Sequence, residues 1–402
     1  MGISYEDAVK AQRAIEEKLM EDPNVVSIGV VEETDELGQK TGDFSIEVGI
    51  KSLEVYQNSL KQGKSLIPPE YTIHPDDDSR RDKHVHICVF KAGKIAALSN
   101  TDIPSAVDDI PKAMVVSENT LRRRPSPGGQ SIGHPLVTTG TAALLVEYKD
   151  GAEKGKAFIL SNNHVIAANN RAKLGDGILQ PGITDFGLVG KDEIASLHSF
   201  VPLDKDGFNY VDAATAEVFG AFSWNKYATP YVTKIGYPED PTDARMGMSV
   251  EKMGRTTGHT EGRIVSINET VKVDYGDTGL IKFKDQIRTT AMSQGGDSGS
   301  CLFETGTRKP VGLLFAGGES GTFFNPMGTV LRAVSGCKIG TPFSILKKKF
   351  STTSVLAALQ SNARKSSVPL IAVAGVYTAS TLLFDFTKGK KDIPSAGSSL
   401  TS

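Results

Sequence analysis

The stretch M-S-Q-G-G-D-S-G-S-C-L-F, residues 292–303, places Ser298 beside an aspartate and among three glycines, ahead of an apolar run. Glycines allow the tight backbone bend that brings N–H groups together around one point. A serine hydroxyl is a poor nucleophile near neutral pH, because it needs a base, a group that orients the base and N–H donors. Whether Ser298 is a nucleophile or only a turn hydroxyl therefore depends on the rest of the chain.

A base is available at His164, one of seven histidines in the chain. In K-A-F-I-L-S-N-N-H-V-I-A, residues 156–167, a predicted strand enters a polar turn and delivers the imidazole just beyond the strand. A single histidine after a strand is weak evidence, since most such residues are structural. The case for His164 as a catalytic base is stronger if an acid can orient its imidazole.

Asp212 supplies that acid in N-Y-V-D-A-A-T-A-E-V, residues 209–218, where small and apolar neighbours would bury it. A buried carboxylate has to be hydrogen-bonded, and an imidazole N–H is a suitable donor. The chain order is then His164, Asp212, Ser298, which is the order of the chymotrypsin triad. We predict these three residues as the catalytic group.

Four motifs together resemble the trypsin/chymotrypsin-like serine peptidases: S-N-N-H-V, V-D-A-A, G-G-D-S-G-S and V-G-L-L-F-A-G. Three longer runs are similar to bacterial and plant trypsin-like proteins with an N-terminal extension and no signal peptide. These runs are R-R-P-S-P-G-G-Q-S-I-G-H-P, F-I-L-S-N-N-H-V-I-A and V-E-K-M-G-R-T-T-G-H-T-E-G. The resemblance covers roughly residues 123–340 well and the first part of the chain loosely.

The resemblance implies a mostly β fold with two six-stranded antiparallel β-barrels and the site in the cleft between them. His164 and Asp212 would come from the first barrel and Ser298 from the second. The N–H groups of Gly296 and Ser298 would form the oxyanion hole. The implied activity is a serine endopeptidase that acts on a protein or peptide substrate through an acyl-enzyme, without a metal or an organic cofactor.

The resemblance also locates the primary specificity pocket. The residue six before the nucleophile is Met292, where an acid would select Lys or Arg. The opposite wall would come from Phe315, Ala316 and Gly317, again without charge. Because burying a substrate cation without a partner is costly, we predict cleavage after small or medium apolar residues.

Asp297, the residue before the nucleophile, needs a partner if it is buried. In secreted digestive relatives this partner is a new N-terminus made by proteolysis. Arg255, in M-G-R-T-T-G-H, can bind a carboxylate through its planar guanidinium and is the predicted partner here. On that basis the intact chain would be competent without cleavage. The alternative is that Arg255 is a solvated turn residue.

Changes in composition and in the strand and turn patterns along the chain predict four parts. Residues 1–120 read as a small α+β domain, residues 121–130 as a basic Pro/Gly-rich linker, and residues 131–350 as the double-barrel protease domain with many short strands. Residues 351–402 form a tail with an apolar segment at 368–384. That segment is near the lower limit of the roughly 17–25 residues a membrane helix needs, so membrane contact competes with packing on the protein or a partner.

Composition excludes some classes of partner. The net charge is -2, from 45 basic and 47 acidic residues, so nothing points to nucleic acid. The three cysteines, Cys88, Cys301 and Cys337, predict no disulfide framework, and the N-terminus lacks an apolar signal core. We therefore expect a cytoplasmic protein. Its oligomeric state is left open.

Two other functions compete with a peptidase: a metal site and an inactive binding scaffold. His84, His86 and Cys88 alternate along one predicted strand, with His74 and 76–78 nearby, which could form a metal site. The simpler interpretation is a polar strand face opposite Val85, Ile87 and Val89. The second rival is an inactive protease fold that serves as a binding scaffold, perhaps tethered by its tail.

Overall fold

The computed structural model describes residues 2–74, 82–98, 117–148, 150–151, 153–220, 226–334 and 337–339. The fold is mostly β, as predicted. The apolar segment 368–384 lies outside the described residues. Within the ranges given above, no helix combines the length and the apolar character needed to cross a membrane.

The N-terminal part is a four-stranded sheet with two helices. Its elements are α1 (Tyr5–Leu19), β1 (Val25–Thr34), β2 (Lys40–Ile50), α2 (Leu53–Lys61), β3 (Glu70–Ile73) and β4 (Lys83–Lys91). Helix α1 begins with a capping box, in which Ser4 and Asp7 each bind the other's backbone N–H. The strand order is β1-β2-β4-β3, and only the β2–β4 pair is parallel. The predicted α+β character of this part is confirmed, with α2 and β3 as additions.

The next elements along the chain include those of a second sheet. They are β5 (Ala96–Ala97), β6 (Ser126–Gly128), β7 (Ser131–Ile132), β8 (Gly140–Thr141), β9 (Leu144–Tyr148), β10 (Phe158–Ser161), α3 (Asn163–Ile166), β11 (Gly177–Leu179), β12 (Glu193–Phe200), β13 (Phe208–Asn209), β14 (Ala214–Val218) and β15 (Ala228–Val232). Of these, β5 and β13 pair with strands of the barrel described below. Six strands make an antiparallel sheet in the order β11-β12-β14-β10-β9-β22, where β22 (Cys337–Ile339) returns from the end of the described chain.

Another set of strands closes into a barrel. Its strands are β16 (Ser249–Gly254), β17 (Gly258–Asp274), β18 (Leu280–Thr289), β19 (Cys301–Glu304), β20 (Lys309–Gly318) and β21 (Gly321–Pro326), followed by α4 (Met327–Ala333). Antiparallel ladders connect them in a ring, β16-β17-β18-β21-β20-β19, and β19 pairs again with β16. Short 3₁₀ helices occupy Glu118–Thr120, Ile183–Asp185 and Gly276–Thr278.

Residues 121–130, predicted as a linker, are in part packed into the fold instead. Strand β6 pairs in parallel with β15, and residues 126–130 are buried. Arg124 donates to the carbonyl oxygens of Gln180 at 2.8 Å and Asp192 at 3.1 Å. Only the second half of the predicted linker is closely packed, since a Cβ at Gly128 would lie 2.4 Å from the Ala143 carbonyl oxygen, whereas Leu121, Arg122 and Arg123 are exposed.

The N-terminal sheet is continuous with the second barrel. Strand β1 pairs antiparallel with β17, so that Ser27 lies opposite Val271 and Ile28 opposite Thr270. Residues 1–120 were predicted as a separate domain, but this ladder makes their sheet an extension of the barrel wall. An alternating strand reveals its buried face without revealing which free edge it will pair with.

Buried charges fix this junction. Arg288 of β18 donates to Glu47 of β2 at 2.6 Å and to Glu269 of β17 at 3.3 Å. Burial acts to lower the pKa of Arg288, but the two carboxylates outweigh it and raise the pKa above its ordinary value. On α1, the Gln12 side chain donates to the Asn268 carbonyl oxygen at 2.9 Å. Side-chain ion pairs and hydrogen bonds, in addition to the strand ladder, therefore join the N-terminal part to the barrel.

Replacing Arg288 by Met should lower the free energy of unfolding by about 3–5 kcal/mol, because the buried Glu269 and the partly exposed Glu47 lose their cation. Urea denaturation measures this. The matched control is Arg308→Met, since Arg308 and Glu239 form a pair 2.7 Å apart with both side chains about half exposed, which should cost less than ~1 kcal/mol. Equal effects of the two substitutions would contradict the assignment.

Candidate active site

His164 and Asp212 form a buried pair. His164 lies on α3 directly after β10, and its Nδ1 atom is 2.5 Å from Oδ2 of Asp212. The backbone N–H of His164 also donates to Oδ1 of Asp212, at 3.2 Å. Asn162, just before α3, donates its side-chain amide to the Asp212 carbonyl oxygen at 2.7 Å. These contacts fix the imidazole so that Nδ1 is hydrogen-bonded to the Asp212 carboxylate, and Nε2 is the ring nitrogen that remains for another partner.

A tyrosine completes the environment of Asp212. The hydroxyl of Tyr275, at the end of β17, donates to Oδ2 of Asp212 at 2.7 Å. Burial, followed by the Asp212 carboxylate, raises the pKa of Tyr275 well above its ordinary value, so the phenol stays protonated and donates. Sequence reasoning missed Tyr275, because nothing in V-D-Y-G-D links that residue to an acid 63 positions earlier.

Ser298 lies on a turn that requires glycine on both sides. Gly296 has φ +95° and Gly299 has φ +90°, a region that residues with a Cβ rarely adopt. A Cβ at Gly299 would lie 2.1 Å from the Thr141 carbonyl oxygen. Thr141, on β8, donates its N–H to the Ser298 carbonyl at 2.7 Å and its hydroxyl to the Gly296 carbonyl at 2.9 Å. The turn is therefore held against β8.

Ser298 and His164 are both nearly inaccessible, at 1% and 4% exposure. Within the described part of the chain, neither the Ser298 hydroxyl nor Nε2 of His164 has a hydrogen-bond partner. Buried polar atoms without partners are uncommon, and a catalytic role is one explanation for them.

Asp297 is buried with a cation other than the predicted one. Lys252 of β16 places its Nζ atom 3.2 Å from Oδ2 of Asp297, and both side chains are fully buried. Burial lowers the pKa of Lys252, and Asp297 partly offsets that effect. The same carboxylate accepts the N–H groups of Thr256 at 2.8 Å, Thr257 at 3.1 Å and Gln294 at 3.0 Å.

Arg255, the predicted partner of Asp297, binds Asp185 instead. Its Nε atom is 2.8 Å from Oδ2 of Asp185, and its Nη2 atom contacts Oδ1 of the same carboxylate. Asp185 also accepts the Ser131 hydroxyl at 2.6 Å. The side chain leaves the strand beyond its last residue, Gly254, and turns toward the six-stranded sheet. Lys252 follows Val250 by two residues, so strand alternation could have placed it inside the barrel.

The predicted pocket residues separate into two groups. Met292 is buried, and its backbone is fixed by the hydroxyls of Thr260 and Thr322. Gly317 lies near Ser293, whose Oγ atom would be 3.2 Å from an added Cβ. The ring of Phe315 packs on Phe283 with centroids 4.7 Å apart, so it belongs to the barrel core. Ala316 lies in that same core cluster.

The predicted oxyanion donor Gly296 already has an acceptor. Its N–H donates to the carbonyl oxygen of Leu98 at 2.7 Å. The other predicted donor, the N–H of Ser298, belongs to the same turn. No local sequence pattern indicates that Leu98, from the N-terminal part, reaches this point.

Strand β4, which carries the histidines of the possible metal site, alternates between exposed and buried residues as predicted. His84, His86 and Cys88 are exposed on β4, whereas Val85 and Ile87 are buried. His84 Nδ1 lies 3.1 Å from Oε1 of Glu70. Residues 76–78 lie outside the described ranges. In the described part, the groups that bring three potential ligand atoms within 4.8 Å are Glu153, His198 and Glu217, and Glu251, His259 and Glu261.

A mostly β chain with this barrel and this His–Asp–Ser set resembles a trypsin-like serine peptidase, and comparisons confirm the resemblance. No protein-family model matches the chain. Streptogrisin-A of Streptomyces griseus is 33% identical over 96 residues, 23% of this chain and 30% of that protein. Streptogrisin-D of the same organism is 36% identical over 120 residues, 28% of this chain and 27% of that protein. The chain thus spans under a third of the length of these curated relatives.

Two solved structures illustrate the more distant similarity. Thermobifida fusca protease A aligns with 53% of this chain and 97% of its own, at 20% identity and a TM-score of 0.37. A glutamic acid specific serine protease aligns with 53% of this chain and all of its own, at the same identity and TM-score. The fold assignment rests on the strand ladders described above.

Replacing Lys252 by Met should lower the free energy of unfolding by about 3–5 kcal/mol, because Asp297 is left buried without its cation. Chemical denaturation measures the change. Lys191→Met, at an exposed lysine, is the control and should stay within ~0.5 kcal/mol of the wild type. An unchanged stability in Lys252→Met would contradict the pairing.

Proposed function

We propose that this protein is a serine endopeptidase. The observation that carries the proposal is the buried pair of His164 and Asp212, with Nδ1 and Oδ2 2.5 Å apart, in a chain whose Ser298 stands on a glycine-bounded turn. Sequence similarity to the streptogrisins supports the class of enzyme. The substrate would be a protein or a peptide.

The proposed mechanism uses only side chains and backbone of this chain. Nε2 of His164 takes the proton of Ser298 as its oxygen attacks the carbonyl carbon, while Asp212 holds the imidazole tautomer and stabilises the imidazolium. The N–H groups of Gly296 and Ser298 stabilise the negative oxygen that forms. His164 then gives the proton to the leaving amine, and water hydrolyses the acyl-enzyme in the reverse sense. Tyr275 acts as a positioning residue through Asp212.

The proposed specificity is for small or medium apolar residues before the scissile bond. Met292 is buried and uncharged, and Gly317 places no side chain on the opposite wall, where an added Cβ would lie 3.3 Å from Cδ1 of Leu98. A Lys or Arg side chain buried there would lack a partner among these two residues, which is costly.

The alternative is a non-catalytic scaffold with a protease fold. The presence of all three triad residue types, together with the geometry of His164 and Asp212, favours an enzyme. Covalent modification by a serine-directed fluorophosphonate separates the two functions, because a scaffold would not react at Ser298 more than at any other serine.

Alanine at Ser298 or His164 should lower kcat by something like ~10⁶, and alanine at Asp212 by ~10⁴, because the triad acts as a unit. Hydrolysis of a peptide library measures the loss. Ser65→Ala, at a serine of the N-terminal part, should leave the rate unchanged. Undiminished turnover by Ser298→Ala would refute the proposed mechanism.

A peptide library varied at the residue before the scissile bond should be cleaved best after Leu, Met, Val or Ala. Introducing an acid by Met292→Asp should shift the preference toward Lys or Arg, because the buried cation gains a partner. Cleavage profiles by mass spectrometry check both statements. A wild-type profile dominated by Lys or Arg would contradict the assigned pocket.

A further inference from the structure

Strand β5, the last described strand before residue 99, lies against β20, which carries the predicted pocket residues Ala316 and Gly317. Strand β5 pairs antiparallel with β20, so that Ala97 lies opposite Ala316 and Ala96 opposite Gly317. The carbonyl oxygen of Ile95 accepts the Asp274 N–H at 2.9 Å. An extended segment that adds to a strand edge by antiparallel pairing is a common way for proteins to bind peptides.

Leu98, the next residue, meets the two features that a substrate residue would meet. Its carbonyl oxygen accepts the Gly296 N–H at 2.7 Å, beside Ser298. Its side chain is 2% exposed and belongs to the same buried cluster as Met292. A Cβ at Gly317 would lie 3.3 Å from Cδ1 of Leu98, so the glycine leaves room for that side chain.

We propose that residues 95–98 are bound as the enzyme's own substrate, and that Ser298 cleaves the peptide bond that follows Leu98. This inference rests on the proposed function and adds to it a specific substrate. Strand pairing, the carbonyl at the oxyanion turn and an apolar side chain beside Met292 are three separate requirements for a bound substrate, and the segment meets all three. It also accounts for the low exposure of Ser298.

The chemical step follows from the proposed mechanism and needs no added reactant except water. Oγ of Ser298 bonds to the Leu98 carbonyl carbon, and His164 takes the hydroxyl proton. The C–N bond after Leu98 then breaks, and the proton goes to the leaving amine. Water attacks the ester and releases a Leu98 carboxylate and free Ser298. The products are a piece ending at Leu98 and a piece carrying the barrels.

The N-terminal piece should remain attached after cleavage. Strand β1 stays paired with β17, and Arg288 still bridges Glu47 and Glu269. The segment ending at Leu98 would then compete with other peptides for the cleft. The same sheet extension that presents the substrate therefore makes the product a tethered competitor.

The test is to follow the purified full-length chain by intact mass spectrometry over time. The wild type should yield two pieces that separate between Leu98 and the next residue, with a rate constant that does not change over a roughly 100-fold dilution, as an intramolecular reaction requires. Ser298→Ala should remain whole. Leu98→Met should cleave within ~5-fold of the wild-type rate, because the swap conserves volume. Leu98→Asp should cleave at least ~100-fold more slowly, because it buries a carboxylate in an apolar pocket.

Hydrolysis of a short apolar peptide by each variant distinguishes three outcomes: a variant that does not fold, a failure of the self-cleavage proposal, and a failure of the proposed function. If Leu98→Asp still hydrolyses the peptide, it is folded, and its slow self-cleavage supports the proposal. If it hydrolyses nothing, the Leu98→Met and wild-type rates and the cleavage position decide instead. An active wild type that stays whole, or that is cut near Arg124, overturns the proposal. If no variant shows Ser298-dependent hydrolysis at all, the proposed function fails and this inference fails with it.

Discussion

The carboxylate of Asp297 is buried beside the candidate nucleophile, and the rest of the site depends on how its charge is balanced. Lys252 supplies the cation from inside the barrel, and the backbone N–H groups of Thr256, Thr257 and Gln294 complete its shell. These partners exist in the uncut chain, so the glycine turn forms on folding. A new N-terminus is not needed for that purpose.

The second constraint is the edge that β17 offers to the N-terminal sheet. Because β1 pairs there, the chain leaves β4 close to the barrel and reaches β20 within a few residues, where Ala96 and Ala97 pair with it. Leu98 then arrives at Gly296. The N-terminal part is thus joined to the barrel by one sheet and brings Leu98 to the glycine turn beside Ser298.

The sequence predicts His164, Asp212 and Ser298 as a candidate triad because the signals are local: a glycine turn, a histidine after a strand and a buried acid in a recognised order. It predicts contacts between distant residues less well, because these depend on strand register and on which strand edges pair. Arg255 and Lys252 are three residues apart, and only the direction of each side chain decides which one meets Asp297. Tyr275 and Leu98 reach the site through ladders between distant strands, for which the local sequence carries no pattern.

The most direct test of this account is the rate at which a fluorophosphonate labels Ser298 in the intact Leu98→Asp chain, followed by mass spectrometry. The account predicts labelling of an uncut chain, because Lys252 and Asp297 already hold the turn and the displaced segment no longer covers it. Labelling that begins only after the backbone is cut near Arg124 would contradict it, since the turn would then depend on a new N-terminus.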